Sequence, residues 1–197
     1  MRPEEPDAGF FLACRRTDTR LTRWVVVVSI RTQTLLVCEQ ERDPAPIWAG
    51  RPVGPRPPRP HRYQVRQQCR ISSSRFGTGQ VADSHRTPLG LHRVAQKIGG
   101  GWPIGAVFRG RRLVGFTWQG LPRAPIAHRI LWLEGLEAGF NRGGAVDSFA
   151  RYIYLHGAGD ETTLGSPATR GCVHLAAARL LPLYDLLPVG TLVWIRC

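Results

Sequence analysis

Glycine and proline occur so often in this chain that they constrain its fold more than any other feature. The 197 residues include 22 glycines and 16 prolines, and both residue types interrupt helices and favour turns. Between them lie β-branched runs, notably Trp24 to Ile30 and Thr34 to Glu39, which only the polar link Arg31 to Gln33 separates. The pattern predicts a β-hairpin there, and a β-rich fold with well-defined loops rather than a helical bundle.

The length predicts one domain, over residues 21–197, that is large enough for a hydrophobic core. Residues 1–20 are polar and mixed, and we expect them to form a poorly ordered N-terminal segment. Residues 43–60 alternate proline with arginine. Because such a segment cannot pair into a sheet, it predicts an inserted surface loop.

The remaining regular structure is predicted from apolar runs. One helix is predicted from Leu175 to Leu187, with a kink or a break at Pro182 and a stop at Pro188. Further strands are predicted at Tyr63–Ser73, Ile130–Leu133, Tyr152–Leu155 and Thr191–Ile195.

The net charge of +13 comes almost entirely from arginine, because Lys97 is the only lysine. Such a charge is compatible with a polyanionic partner, either nucleic acid or an anionic cell-wall or membrane surface. The arginines are scattered, however, and no nucleic-acid-binding motif is present. We therefore favour a compositional bias and expect no nucleic-acid partner.

The cysteines exclude two common kinds of site. They are odd in number, widely spaced and without a CxxC pair, so they predict neither a disulfide framework nor a zinc site. Cys38 and Cys69 lie in strand-like runs and are expected to be buried. The sequence shows no signal peptide and no transmembrane run, so we expect a cytoplasmic monomer, or a periplasmic or envelope protein if the true start lies upstream.

The candidate chemistry lies at Cys172, which follows Gly171, and at His156, sixteen residues upstream and followed by Gly157. An imidazole that accepts the proton of a thiol makes it a nucleophile. Because a helix is predicted just after Cys172, its positive end would lower the pKa of the thiol, and the amides of Gly171 and Cys172 could form an oxyanion hole. Spacing alone leaves open a buried cysteine and an unrelated histidine.

Several motifs in order resemble the L,D-transpeptidase catalytic domain of the YkuD type, from about residue 24 to residue 196. The site segment matches at His156-Gly157 and at Thr169-Arg170-Gly171-Cys172-Val173-His174. Upstream blocks match at Ser72–Gly79, with Arg86–Gly90 after it, and at Arg151–Tyr154. The chain is most similar to compact members that lack a signal peptide.

The resemblance implies a β-sandwich of mixed sheets with one or two short helices, the longest after the cysteine. It implies Cys172 as nucleophile, His156 as proton donor and acceptor, the Gly157 carbonyl as the group that orients His156, and Gly171 as an oxyanion-hole amide. Substrate contacts are expected from Thr169, Arg170, His174 and Tyr154. The substrates would be peptidoglycan stem peptides or muropeptides, with no cofactor and no metal.

Two positions depart from the family pattern. Arg170 stands where members commonly have histidine, and His174 stands where they commonly have arginine. A histidine is shorter than arginine and titrates near neutrality, which would alter substrate affinity or activity. Three functions remain open: an L,D-transpeptidase, an L,D-carboxypeptidase of cytoplasmic peptidoglycan recycling with water as acceptor, and a catalytically weakened muropeptide-binding member.

Overall fold

The computed structural model describes residues 6–41 and 62–197, and within them the chain is mostly β. The strands are β1 (Trp24–Ser29), β2 (Thr34–Gln40), β3 (Tyr63–Ser72), β4 (Gly90–Ile98), β5 (Ala106–Arg109), β6 (Arg112–Phe116), β7 (Ala127–Gly135), β8 (Tyr154–Gly157), β9 (Val173–Leu175) and β10 (Leu192–Arg196). The helices are α1 (Ala8–Arg16), α2 (Ala177–Leu186) and a 3-10 turn (Gly144–Val146). The predicted fold class is confirmed, whereas the loop predicted at residues 43–60 lies outside the described residues.

The strands form one continuous hydrogen-bonded ladder. Its order is β4-β10-β1-β2-β3-β9-β8-β7-β5-β6. Because β4 also pairs with β7, all strands except β5 and β6 close into a ring, and the β5–β6 hairpin extends from β7. The β1–β10 and β8–β9 pairs are parallel and the other pairs antiparallel, so the mixed sheets expected from the sequence are joined in a single ladder.

The main hydrophobic core lies inside this ring. Every strand of the ring contributes apolar side chains to it, and α2 adds Leu180, Leu183 and Tyr184. Along β8 and β9 the residues that enter the core are Leu155, Val173 and Leu175. Since neighbouring residues of a strand point to opposite faces, the residues between them face outward.

The hairpin predicted near the start of the domain is confirmed. β1 and β2 pair antiparallel from Trp24↔Glu39 to Ser29↔Thr34. Each strand carries an unbroken run of four buried residues. Both faces of these strands are therefore covered, one by the core and the other by α1.

The N-terminal segment differs from the prediction, because α1 is a packed helix. The Asp7 side chain accepts a hydrogen bond from the Phe10 amide at 3.0 Å and caps the helix start. The Phe10 side chain is fully buried, in a cluster with Tyr63 and Leu136 on the outer face of the ring. The expectation of poor order is therefore wrong for residues 8–16. Their buried apolar side chains stabilise the helix although the surrounding segment is polar.

Replacing Phe10 by alanine will test whether α1 stabilises the domain. We expect the free energy of unfolding to fall by about 3–5 kcal/mol, the usual effect of removing a buried aromatic ring. Leu12→Ala on the same helix, at a side chain that is 40% exposed, should cost less than about 1 kcal/mol. Equal and small losses in urea denaturation would contradict the packing of α1.

The helix after Cys172 is the longer of the two, as predicted, but its course differs from the prediction. Leu175 belongs to β9, and α2 runs unbroken through Pro182. The proline removes one hydrogen bond within the helix, but Leu180, Leu183 and Tyr184 on either side of it are buried in the main core. Their burial holds the single helix together, so the predicted break is wrong.

Candidate active site

The predicted nucleophile and base lie on the outer face of neighbouring strands. β8 and β9 run parallel, with His156 opposite His174 and Leu155 opposite Val173. Since Leu155 and Val173 face the core, Tyr154 and His156 share the outer face with Cys172 and His174. The ring centroids of His156 and His174 are 4.5 Å apart, so the structure brings together residues that the sequence separates by sixteen to twenty positions.

A tight turn presents Cys172 at the start of β9. Gly171 has a φ of +118°, and a Cβ added to it would lie 3.3 Å from the Ile153 side chain, so only glycine fits. The Thr169 hydroxyl donates to the Cys172 carbonyl at 2.6 Å and accepts from the Gly171 amide at 3.2 Å.

These bonds bear on two predicted roles. Thr169 is only 4% exposed, and both of its hydroxyl bonds shape the turn, so its contact with substrate stays a prediction. The Gly171 amide donates to the Thr169 hydroxyl at 3.2 Å, so it would have to share or exchange this bond to hold an oxyanion, and its oxyanion role stays a prediction.

The Cys172 thiol is neutral at rest. Burial raises its pKa to about 11, while the Tyr154 backbone and the charge of Arg151 act in the opposite direction. The thiol donates a hydrogen bond to the Tyr152 carbonyl at 3.4 Å. The predicted lowering by a helix dipole is wrong, because β9 lies between Cys172 and the start of α2.

His156 is held in one tautomer. Its Nδ1 lies 2.8 Å from the Gly157 carbonyl oxygen, and the side chain is 2% exposed. A carbonyl only accepts hydrogen bonds, so Nδ1 carries the proton and Nε2 keeps its lone pair. Burial, and secondarily the neighbouring His174, lowers the pKa of His156 to about 3, so the imidazole is a free base at neutral pH.

These two pKa values decide the resting state of the pair. Transfer of the proton from a thiol near 11 to an imidazole near 3 would cost on the order of 10 kcal/mol before the attraction between the two charges is counted. The resting site therefore holds a neutral thiol and a neutral imidazole. For a reaction in which Cys172 acts as nucleophile, we therefore expect proton transfer to accompany the attack rather than to precede it.

Gly157 packs tightly against residues behind His156. A Cβ added to it would lie 2.6 Å from His128 Cδ2 and 2.9 Å from the Ala127 carbonyl oxygen. His128 is itself fixed by the Gly105 amide at 2.8 Å. The carbonyl that orients His156 is therefore placed by close backbone packing, which the sequence did not reveal.

The other three residues predicted to contact substrate, His174, Tyr154 and Arg170, differ in how far they are buried. His174 is half-buried, and burial lowers its pKa to about 4, so it brings no positive charge at neutral pH, contrary to the titration expected near neutrality. Tyr154 is 4% exposed and packs edge-on against Trp132, with ring centroids 5.5 Å apart. Arg170 is exposed beside the turn.

Arg151 is a member of the site that sequence reasoning missed. Its guanidinium donates to the carbonyls of Gly79, Gln80 and Arg86 at 3.2, 2.7 and 2.7 Å, and thereby ties the loop between β3 and β4 to the site. Burial lowers the pKa of Arg151, and the electrostatic interaction with Cys172 opposes that shift. In the sequence it begins the family-like block Arg151–Tyr154 and lies three residues before the first residue of the strand that carries His156.

Several buried neutral histidines predict acid sensitivity. Burial lowers the pKa of His92 to about 4, as it does for His174, and that of His156 to about 3. In the unfolded chain these histidines bind protons near pH 6.5, whereas in the folded chain they stay neutral at that pH. The free energy of unfolding is therefore highest above pH 6.5 and falls as the pH drops towards 4. Between pH 6.5 and 5, where carboxylates stay ionised, we expect a loss of about 1–2 kcal/mol per buried histidine in urea denaturation.

The variant His92→Gln should make this pH dependence shallower by about one proton. His92 is fully buried and bonded to Gly90 and Ser148, so it is a packing residue and not a substrate contact. Exposed His85 offers a control for the substitution itself, since His85→Gln should leave the free energy of unfolding at pH 7 nearly unchanged. A free energy of unfolding that stays constant between pH 6.5 and pH 5 would contradict the conclusion that the buried histidines are neutral.

Two kinds of feature are absent from the described part of the chain. Within residues 6–41 and 62–197, no three His, Cys, Asp or Glu side chains are grouped so that they could hold a metal ion. Neither described α-helix is long and apolar enough to cross a membrane.

The pattern of the L,D-transpeptidase catalytic domain, YkuD, matches residues 23–195. The chain therefore belongs to the L,D-transpeptidase catalytic-domain family, which acts on peptidoglycan peptides. No protein of curated function matches the sequence.

The chain is also similar to solved structures, and one of them has a TM-score above 0.5. The Bd1075 structure from Bdellovibrio bacteriovorus is 15% identical, with a TM-score of 0.52 over 89% of this chain and 48% of that one. An L,D-transpeptidase from Mycobacterium smegmatis is 13% identical (TM-score 0.46, 89% and 59% covered), and one from Xylanimonas cellulosilytica is 18% identical (TM-score 0.45, 94% and 68%). The chain thus spans about half the length of the Bdellovibrio protein, and at these identities the likeness concerns the fold alone.

Proposed function

We propose that this protein catalyses cysteine-dependent acyl transfer on peptidoglycan tetrapeptide stems, with Cys172 as nucleophile and His156 as proton donor and acceptor. The observation that carries the proposal is the hydrogen bond of 2.8 Å between His156 Nδ1 and the Gly157 carbonyl. It leaves Nε2 as the proton acceptor on the face that also carries the thiol.

In the first step, the sulfur of Cys172 bonds to the carbonyl carbon of the third stem residue, an L-configured diamino acid. The bond to the terminal D-Ala nitrogen breaks. The thiol proton passes to His156 Nε2 and then to the leaving amine. The amides of Gly171 and Cys172 are the candidate donors to the oxyanion, and each such donor typically contributes about 3 kcal/mol.

In the second step, an acceptor releases the acyl group from Cys172. An amine acceptor gives a new L,D-linkage and a transpeptidase, and water gives a tripeptide and a carboxypeptidase. In both cases His156 removes a proton from the acceptor, and the sulfur regains its proton when the thioester breaks.

The decisive experiment is incubation with a disaccharide tetrapeptide, with and without D-Met as amine acceptor, followed by mass spectrometry. A product in which D-Met replaces D-Ala supports transpeptidation. A tripeptide product assigns water as the acceptor and the carboxypeptidase alternative.

If neither product forms and Cys172→Ala binds the muropeptide as tightly as the native chain, acyl transfer is excluded. The protein would then be a muropeptide-binding member of the family. The exposed Cys197 provides the matched control, because Cys197→Ala should retain whichever activity the native chain shows.

A further inference from the structure

The turn between β5 and β6 places an arginine in an unfavourable backbone conformation. Gly110 and Arg111 have φ values of +54° and +68°, the left-handed region that glycine or asparagine occupies easily in a two-residue hairpin turn. An arginine there costs free energy relative to glycine. Strain of this kind is found where the side chain has a positional role.

The guanidinium of Arg111 is fixed by two aromatic rings. Its Cζ lies 4.8 Å from the ring centroid of Trp132 and 4.8 Å from that of Tyr152, which is the distance of a cation–π contact. Interaction with the Tyr154 side chain raises the pKa of Arg111 further. The side chain is thus held in one place although it is exposed.

The residues that hold Arg111 also surround the nucleophile. The carbonyl of Tyr152 accepts the hydrogen bond of the Cys172 thiol, and Tyr154 shares the outer face of the sheet with Cys172 and His156. Trp132 packs against Tyr154 in the cluster that Cys172 joins. The β5–β6 hairpin therefore brings a fixed positive charge to the thiol side of the site.

This charge is available to a ligand. Among the described residues no carboxylate forms an ion pair with Arg111, since the ion pairs there involve Arg23, Arg66, Arg93 and Arg196. His156 and His174 are neutral, and Arg151 is bound to three carbonyls. A guanidinium has five N–H donors, more than the hydrogen bonds of Arg111 to Tyr154 and Tyr152 use, and it can bind a carboxylate through two of them.

We propose that Arg111 is a carboxylate-recognition residue that selects anionic peptides for reaction at Cys172. The identity of the peptide as a peptidoglycan stem rests on the function proposed above. The preference for an anion does not depend on that function. A tetrapeptide stem offers two such groups, the C-terminal carboxylate of D-Ala and the free carboxylate of the third-position diamino acid.

The test uses two alkylating reagents of the same size, anionic iodoacetate and neutral iodoacetamide, on the folded full chain. In both reactions the thiolate sulfur displaces iodide. Mass spectrometry of the peptides gives the rate at Cys172, and exposed Cys197 serves as the internal reference. The quantity compared is the iodoacetate to iodoacetamide rate ratio at Cys172 divided by the same ratio at Cys197.

We expect Arg111→Gln and Arg111→Gly to lower this normalised ratio by about three- to tenfold, and 0.5 M salt to reduce the difference. Arg111→Lys should keep most of the preference because it keeps the charge. Arg111→Gly also relieves the backbone strain, so its unfolding midpoint should equal or exceed that of the native chain, which separates loss of recognition from loss of fold. Arg112→Gln, the neighbouring exposed arginine, is the matched control and should leave the ratio unchanged.

An unchanged ratio in Arg111→Gln and Arg111→Gly overturns the proposal. So does an equal fall in Arg112→Gln, which would indicate only the general field of a basic surface. A fall in Arg170→Gln without one in Arg111→Gln would assign the recognition to Arg170 instead. None of these outcomes requires that the protein act on peptidoglycan.

The source of the carboxylate is found by protection of Cys172 from iodoacetamide with tetrapeptides. One tetrapeptide carries both carboxylates, one has the terminal carboxylate as an amide, and one has lysine in place of the diamino acid. Removing the carboxylate that Arg111 binds should weaken the protection of Cys172 in the native chain. The same removal should have no effect in Arg111→Gln, and this difference identifies the carboxylate. If all three protect the native chain and Arg111→Gln alike, Arg111 does not recognise a stem carboxylate.

Discussion

Replacing Cys172 by alanine will abolish release of D-Ala from a tetrapeptide stem, a loss of at least about 10³-fold, because the proposed reaction has no other nucleophile. The fold should be retained, since the side chain is small and half-buried. Mass spectrometry of the products and urea denaturation of the same samples measure the two effects.

The controls for this prediction are the other cysteines. Cys14, Cys38 and Cys69 are buried, as predicted for the latter two, and Cys197 is exposed. A carbapenem-type electrophile should acylate Cys172 in the native chain and leave Cys172→Ala unmodified. Acylation at Cys197 with Cys172 untouched, or full activity of Cys172→Ala, would assign the chemistry elsewhere.

Replacing His156 by glutamine will lower turnover by about 10²–10⁴-fold, the usual contribution of a positioned general base. Glutamine can still donate a hydrogen bond to the Gly157 carbonyl, so the loss reports the missing proton acceptor rather than a collapsed site. The exposed His85 provides a matched control, and His85→Gln should retain turnover.

The same pair predicts a pH profile for the thiol. Because the pKa of Cys172 is about 11, its alkylation by iodoacetamide should keep rising from pH 7 to pH 10. In His156→Gln that rise should persist, since the imidazole is neutral over the whole range. A plateau from pH 7 upward in the native chain would indicate a resting thiolate–imidazolium pair and contradict the neutral ground state.

Much of the β framework could be predicted because strand formation depends on local composition. The β1–β2 hairpin follows from two β-branched runs and a three-residue link, and the strands at Tyr63, Ile130 and Leu192 lie where the apolar runs predicted them. α1 was missed because its signals, an N-cap at Asp7 and buried Phe10, lie in a polar segment. Its stability comes from packing on the outer face of the ring, which local composition does not report.

The candidate site divides in the same way. Cys172, His156 and the Gly157 carbonyl could be named from motifs, and the turn at Gly171 requires a glycine, as the motif has. The pKa of the Cys172 thiol could not be predicted from the sequence. The helix that was expected to lower it is separated from Cys172 by β9. Arg111 also lies 61 positions before Cys172, and only the pairing of the β5–β6 hairpin with β7 brings it near.

The sequence by itself determined the strands other than β4, β5, β6 and β9, the order of the family motifs and the identity of the candidate reactive groups, because these depend on side-chain type and short spacing. The tertiary structure decided the charge state of those groups and the neighbours that act on them. A pKa depends on burial and on charges a few ångströms away through space, and in this protein those are set by the parallel pairing of β8 with β9. The Gly-Cys turn thus marks the proposed nucleophile, while the fold around it decides that this cysteine rests as a neutral thiol beside a neutral imidazole.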